Sequence, residues 1–413
     1  MSPDARRVAQ AVIEESRTRA PDRSVLAFGS PRGAVVGLGA RSWLSSRQGA
    51  WECCLPGGRT VGGKLDGEFD RQLDAFLTAH TGQWVIGYLG FDLNRRHVSA
   101  VPVPAGYPAT HLVVPETVIE IDGDGRIRGD GPRPAPAAAA TATPVAVSDA
   151  ACAEFAGLAR RVLDWIDGDA RRRATVCVRS EIGFPVDLPA TFAAGVADAF
   201  GLSRSFYAAV DGLEFAGTSP ELLVAGSPAQ VIATHKLSGT FASADYTGAA
   251  DLPTRLVLEH DGSARRMAEA LAAVGSPARG DRRVMRLGEL SHLLTSFDTV
   301  PHRGTTEAAA LLGLLPHGAS PREAGLELIA EVESHPRGPY YGLFGVRTPR
   351  GELSWSQTLR SVFRASEGQW ATVGAAVTQR STPELEVAEI RMKAASITAV
   401  PAQAAGAGRG GAG

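Results

Sequence analysis

A mixed α+β fold, in which antiparallel sheets are covered by helices, is predicted by three observations. Short apolar runs are bounded by Gly, Pro and Asp, amphipathic stretches with helical spacing lie between them, and no internal repeat is visible. Residues 5–20 have helical periodicity, and the strand-like runs SVLAFGS, GAVVGLG, WVIGYLGFDL and HLVVPETVIEI come after them, with a helix expected over 68–80. These elements make residues 1–125 an N-terminal α/β part of the fold. Residues 126–150 (RIRGDGPRPAPAAAATATPVAVS at their centre) are rich in Pro and Ala and read as a linker or surface excursion. Residues 151–400 form the remainder, opening on SDAACAEFAGLARRVLDWIDG, a helix with a Ser cap. The strand ATVCVRSEI, a helix in LPATFAAGVADAFG and hairpin-like alternation in SFYAAVDGLEFAGT and ELLVAGSPAQVIATHKLSGT come next. Further helices are expected at 252–274, 283–296, 304–314, 321–332 and 383–398, with strands YYGLFGVRT, ELSWSQTLRSVFRA and WATVGAAVT between the last two. The tail, 401–413, is expected to be disordered.

The 413 residues include 42 Lys plus Arg, 44 Asp plus Glu and 44% hydrophobic residues, for a net charge of −2. A chain of this size can bury a large core. The balanced charge offers no footprint for a nucleic acid or an anionic membrane, since both are held by clustered cations. No run of eighteen apolar residues occurs, and the first twenty residues lack an apolar leader segment, so a soluble, cytoplasmic protein acting on small molecules is expected. Four cysteines, Cys53, Cys54, Cys152 and Cys177, are too few and too poorly spaced for a disulfide scaffold or a zinc knuckle.

Only three of the basic residues are lysines: Lys64, Lys236 and Lys393. Where Arg is accepted almost everywhere, a surviving Lys can mark a need for a compact ammonium or for an amine that can give up its proton. Lys64 lies in the polar stretch GGKLDGEFD and reads as a surface residue. Lys393 falls on the helix starting at Thr382-Pro383, where it shares a face with Glu386 and Glu389. Two carboxylates one turn apart can ligate a hard cation such as Mg²⁺, and a solvated charged face has the same spacing. Glu259 lies on another helix, beside His260. Glu221 comes after Ser-Pro at a turn between strands, where a carboxylic acid can project into a cleft. In ATHKLSGT, alternation puts Lys236, Ser238 and Thr240 on one strand face; apolar surroundings would favour the neutral amine and make Lys236 a candidate base.

In order along the chain, GTSPELL, HKLSGT, LEH, VMRLGELSHLLTS, PRGPYYG, TLRSVF, VGAAV and TPELEVAEIRMK resemble the motifs of the chorismate-utilising enzymes. These include anthranilate synthase component I and the aminodeoxychorismate, isochorismate and salicylate synthases. The resemblance spans roughly 150–398 and looks most like the salicylate synthases, through FPVDLPATF, SRSFYA and PRGPYYG. It implies an anthranilate synthase component I-like fold with a deep central cleft, and Mg²⁺ held by Glu259, Glu386 and Glu389. It further implies that Glu221 is the acid that protonates the departing C4 hydroxyl, and that Tyr340 and Arg360 hold the pyruvyl carboxylate of chorismate. Thr240, Gly374 and Lys393 fall at substrate-binding positions, and His292 at the family's catalytic histidine.

Three departures accompany the resemblance. The position of the usual water-activating lysine is read as Ala174, which can neither take a proton nor hold a nucleophile. Ser238 stands where most members have Ala, with Lys236 two residues earlier as a relocated base, and Leu256 replaces a glutamate one turn before Glu259. Three readings are compatible with this pattern: conversion of chorismate to isochorismate and salicylate; amination at C2, with ammonia or a separate glutaminase; and chorismate binding without the usual turnover.

Overall fold

The computed structural model describes residues 1–97, 106–195, 200–245 and 252–403. The expected disordered tail therefore lies almost wholly outside the described residues. Among the described residues two large sheets dominate, of ten and eleven strands, and every strand pairing in them is antiparallel. Both sheets interleave the two halves of the chain: Val25–Ser30 pairs with Arg204–Val210 in one, and Val85–Leu89 pairs with Leu343–Arg347 in the other. Residues 1–125 and 151–400 thus share one body.

The layers follow from side-chain alternation. Between the sheets lies an aromatic core with Phe28, Tyr88, Phe206, Phe215 and Phe344 at its centre. The outer face of the ten-stranded sheet is covered by helices Pro3–Arg19, Asp149–Ile166, Arg322–Val332 and Pro383–Ala395 through Val12, Phe155, Ile329 and Ile390. Gly67–Ala79, Thr254–Ala272 and Glu307–Gly313 cover the eleven-stranded sheet. The expected Ser148 cap is in place, accepting from the Ala151 amide, and Ser2 and Thr382 cap their helices in the same way, accepting from Ala5 and Leu385. No helix among the described residues is long and apolar enough to cross a membrane, and all four cysteines are free thiols.

Two expected helices need correction. The helix expected over 283–296 is instead a hairpin of strands Gly275–Leu287 and Leu290–Pro301. Its apolar residues fit either period, and Gly288, at φ +60° in the turn, decides for the hairpin. The Pro/Ala-rich excursion is tied down at both ends, Ile127–Arg128 pairing with Thr117–Asp122 and Thr143–Pro144 with Thr398–Pro401. The helix expected to reach residue 398 stops at Ala395 to supply that last strand.

The strand Arg173–Glu181 borders the central cleft and depends on an unusual support. It pairs along eight residues with Gly368–Val377, but on its other side only Arg173 and Ala174 meet a strand. Beyond them a buried ion pair takes over. Arg337 donates to Glu333 (2.5 Å) and to the Thr175 carbonyl (2.5 Å), while Glu333 accepts from the Cys177 amide (2.9 Å). Arg337 also stacks 4.0 Å over the Phe91 ring. Arg337→Met leaves Glu333 charged and buried, so urea unfolding should report a loss of about 3–5 kcal/mol; a loss of a few tenths would show that the pair does not secure this edge.

Candidate active site

The strand Arg173–Glu181 alternates, and its pattern decides which residues reach the cleft. Ala174, Val176 and Val178 point into the core beneath the helices, whereas Arg173 and Thr175 line a cavity. This corrects the reading of Ala174 as the position that would touch a nucleophile: its side chain is wholly buried in apolar surroundings. The cavity-facing residues of that strand are a guanidinium and a hydroxyl. The alternation of polar and apolar residues in RATVCVR carried this information, and a slip of one residue reverses the faces.

The same cavity is lined from the opposite sheet by Lys236, Ser238 and Thr240 of strand Ile232–Ala242, and by His292 of Leu290–Pro301. Gly239, at φ +67°, makes the register shift between Ser238 and Thr240 that turns both hydroxyls inward. Helices Thr254–Ala272 and Pro383–Ala395 contribute Glu259, Glu389 and Lys393. Glu221, Tyr340, Arg360 and Gly374 complete the set, so eleven of the twelve site residues expected from the sequence line one cavity; the twelfth, Glu386, lies buried on the same helix as Glu389. Sequence reasoning missed Arg173, Thr175, Tyr341 and the part played by His260.

Arg360 and Tyr341 both adopt left-handed backbone conformations, at φ +48° and +63°. Such backbone persists in a non-glycine residue only where surroundings hold it. The Tyr341 amide donates to the Thr358 carbonyl (2.8 Å) and its hydroxyl approaches Thr175 (3.4 Å). The Arg360 guanidinium donates to His292 Nε2 (2.6 Å). A guanidinium has only donors, so His292 Nε2 must accept, and Nδ1 carries the hydrogen that points at Thr240 Oγ1 (3.2 Å). Burial, then the adjacent Arg360 charge, holds His292 well below the usual imidazole range and therefore neutral. Through its two ring nitrogens it orients Arg360 and Thr240. The Thr240 hydroxyl hydrogen, its oxygen already engaged, is left to donate elsewhere.

Ser238 meets His260 Nδ1 at 2.9 Å, and His260 Nε2 meets Thr295 Oγ1 at 2.8 Å. Burial, then Lys236, lowers His260 to about 4, so this histidine too is neutral. Lys236 forms an ion pair with Glu221. Lys393 bonds Glu389 (2.7 Å) and the Gly374 carbonyl (3.1 Å). A Cβ on Gly374 would lie 2.5 Å from the Val176 carbonyl oxygen, which explains glycine there. Leu256 packs with Phe241, Leu252 and Leu293.

The three acids lie close enough to feel one another's charge. Burial, then repulsion from Glu389, raises Glu386 to about 7 and raises Glu259 above the usual carboxyl range. Burial opposes charge on Lys393, but Glu389 outweighs it and holds the ammonium above its ordinary value. Among the described residues no three His, Cys, Asp or Glu side chains are arranged to hold a metal as they stand. The donor chemistry nonetheless fits a hard divalent cation: Glu386 Oε2 is buried with no hydrogen-bond partner, and the charge on Lys393, bonded to Glu389, is favoured by all three acids.

Residues 57–399 match the family of chorismate binding enzymes, and the chain belongs to that family. It is 27% identical to the salicylate synthase of Mycolicibacterium paratuberculosis over 223 residues, 51% of this chain and 49% of that one. It is 30% identical to anthranilate synthase component 1 of Aeropyrum pernix over 222 residues, 49% of each. The chain thus spans about half the length of these curated relatives. Its fold is that of anthranilate synthase component I from Streptococcus pneumoniae (TM-score 0.68, 17% identity, 90% of this chain and 92% of that one). It is also that of the menaquinone-specific isochorismate synthase of Escherichia coli (TM-score 0.61, 19% identity, 91% and 87%).

A carboxyl whose pKa is raised by folding favours the protonated form, so its stabilisation is present below the ordinary value and lost as pH rises through the folded one. For Glu386 that window runs from 4.5 to about 7. Without added metal, thermal stability should fall by up to roughly 3 kcal/mol across it, and Glu386→Gln should flatten the fall. An identical pH profile in the variant would remove Glu386 from the repelling set.

Proposed function

We propose that the cleft binds chorismate and Mg²⁺ and catalyses substitution at C2 with loss of the C4 hydroxyl, water being the nucleophile, followed by loss of pyruvate to give salicylate. The observation that carries this reading is the convergence on one cavity of a buried acid, Glu221, with Arg360, Lys393 and a set of mutually repelling carboxylates. A dianionic substrate with an allylic hydroxyl needs cations at both carboxylates and an acid at the leaving oxygen.

Arg360, fixed by His292, and Tyr340 hold the pyruvyl carboxylate. Thr240 donates its hydroxyl hydrogen to substrate oxygen. Glu259, Glu386 and Glu389 would hold Mg²⁺, which supplies charge compensation for the ring carboxylate when bound, with Lys393 beside it. Glu221 protonates the C4 oxygen, and Lys236 takes the proton of the attacking water. Similarity to a salicylate synthase and the family match support this assignment of substrate.

A second reading, amination at C2 to aminodeoxyisochorismate or anthranilate, is favoured by one specific observation. The cavity-facing side chains of the strand on which the family's water-activating lysine sits are Arg173 and Thr175, neither of which takes a proton at neutral pH. Ammonia, supplied free or by a separate glutaminase, is already a nucleophile.

The test is incubation with chorismate and Mg²⁺, with and without ammonium, with products identified by mass spectrometry. Isochorismate or salicylate without ammonium is the expected result. A nitrogen-containing product formed only with ammonium would transfer the assignment to amination, and unchanged chorismate in both would mark a binding protein. Glu221→Gln should lower turnover on the order of 10²–10⁴-fold; full activity would remove Glu221 as the acid.

A further inference from the structure

The cleft's cations and acids do not all pair alike. Lys393 is engaged by Glu389 and the Gly374 carbonyl, and Arg360 by His292. Lys236 meets a different kind of group: Glu221, a carboxylate outside the set that would hold a metal. Both members are well shielded, with side-chain exposures of 17% and 7%. Glu221 is held by its backbone, its amide donating to Ser219 Oγ (3.3 Å) and its carbonyl accepting from the Gln357 amide (2.9 Å). Lys236 is held in strand register opposite Thr295.

Apart from the acids that would hold the metal, no other group among the described residues at the cavity is free to take a proton from a nucleophile. Arg173 and Arg360 stay charged. Both ring nitrogens of His292 are engaged, by Arg360 and Thr240, and both of His260, by Ser238 and Thr295.

We propose that Lys236 and Glu221 act as one couple that carries a single proton, serving as base and acid in the same turnover and returning to the ion pair without exchanging a net proton with solvent. This rests on the C2-substitution reading. Within the contact, the proton on Lys236 Nζ passes to Glu221 Oε1, giving an amine and a carboxylic acid. Water oxygen bonds to C2 and its proton goes to the amine. The two ring double bonds each move one position, and the C4–O bond breaks with its electron pair on oxygen. Glu221 protonates that oxygen, which leaves as water. One water enters and one leaves, and ammonium and carboxylate face each other again. Because the two groups touch, attack and departure take place on the same face of the ring.

Two measurements test the couple, and the first needs no turnover. Lysine labelled with ¹³C gives only three side-chain resonances in this chain, and Lys64→Arg, at an exposed strand end, removes one for assignment without altering activity. Glu221→Gln should move the Lys236 titration to lower pH, since its anionic partner is gone, and leave Lys64 in place. An unmoved Lys236 would overturn the pairing. The second is a double-mutant cycle on chorismate turnover. Lys236→Met and Glu221→Gln should each lower kcat on the order of 10²–10⁴-fold, and the double variant no further than about threefold below either, as for groups that act as a unit. Multiplying losses would mean an independent acid and base and would overturn the couple. If wild-type protein converts no chorismate while the resonances are coupled, the reaction reading fails and the catalytic use of the couple fails with it, the ion pair alone surviving.

Discussion

Mutual repulsion among Glu259, Glu386 and Glu389 is the constraint on which the rest of the cleft depends. Burial and proximity raise Glu259 and Glu386 together, and Lys393, bonded to Glu389, keeps its charge against the cost of burial. Such a set is costly to leave buried without a cation, and an orphaned oxygen on Glu386 remains even so. Across the cavity, Arg360 and Lys236 are placed by other devices, one by a neutral histidine and one by an ion pair. Under the proposed function, a dianion and a divalent cation would meet these cations and acids.

The scaffold supplies these positions through long-range pairing. Beyond Ala174, the strand Arg173–Glu181 is secured on its open side not by a neighbouring strand but by Glu333 and Arg337, which also bring the loop bearing Tyr340 and Tyr341 against it. On the facing sheet, the bulge at Gly239 turns Ser238 and Thr240 toward two buried histidines. Each hydroxyl is therefore oriented by a group that is itself shielded from solvent.

Much of this was legible in the sequence. The capped helix at Thr382-Pro383 placed Glu386, Glu389 and Lys393 on one face, and the scarcity of lysine singled out the two lysines that line the cleft. The elements that differ from expectation share a cause. Residues 283–296 have apolar spacing that satisfies a helix or a strand, and only the turn at Gly288 breaks the tie. Ala174 lies one residue from the cavity-facing positions because motif alignment fixes a strand only to within a residue, whereas the pleat reverses its face at every step. The tautomer of His292 was invisible for a different reason: it is set by Arg360, 68 residues away in the chain.

The direct measurement of the central claim is the coupling between metal and substrate, read by calorimetric titration of Mg²⁺ with and without chorismate. If the acids and cations of the cleft are arranged for a bridged dianion, chorismate tightens Mg²⁺ binding, by about 5–150-fold for a coupling of ordinary size, and Mg²⁺ tightens chorismate by the same factor. Equal Mg²⁺ affinity in both titrations would contradict it.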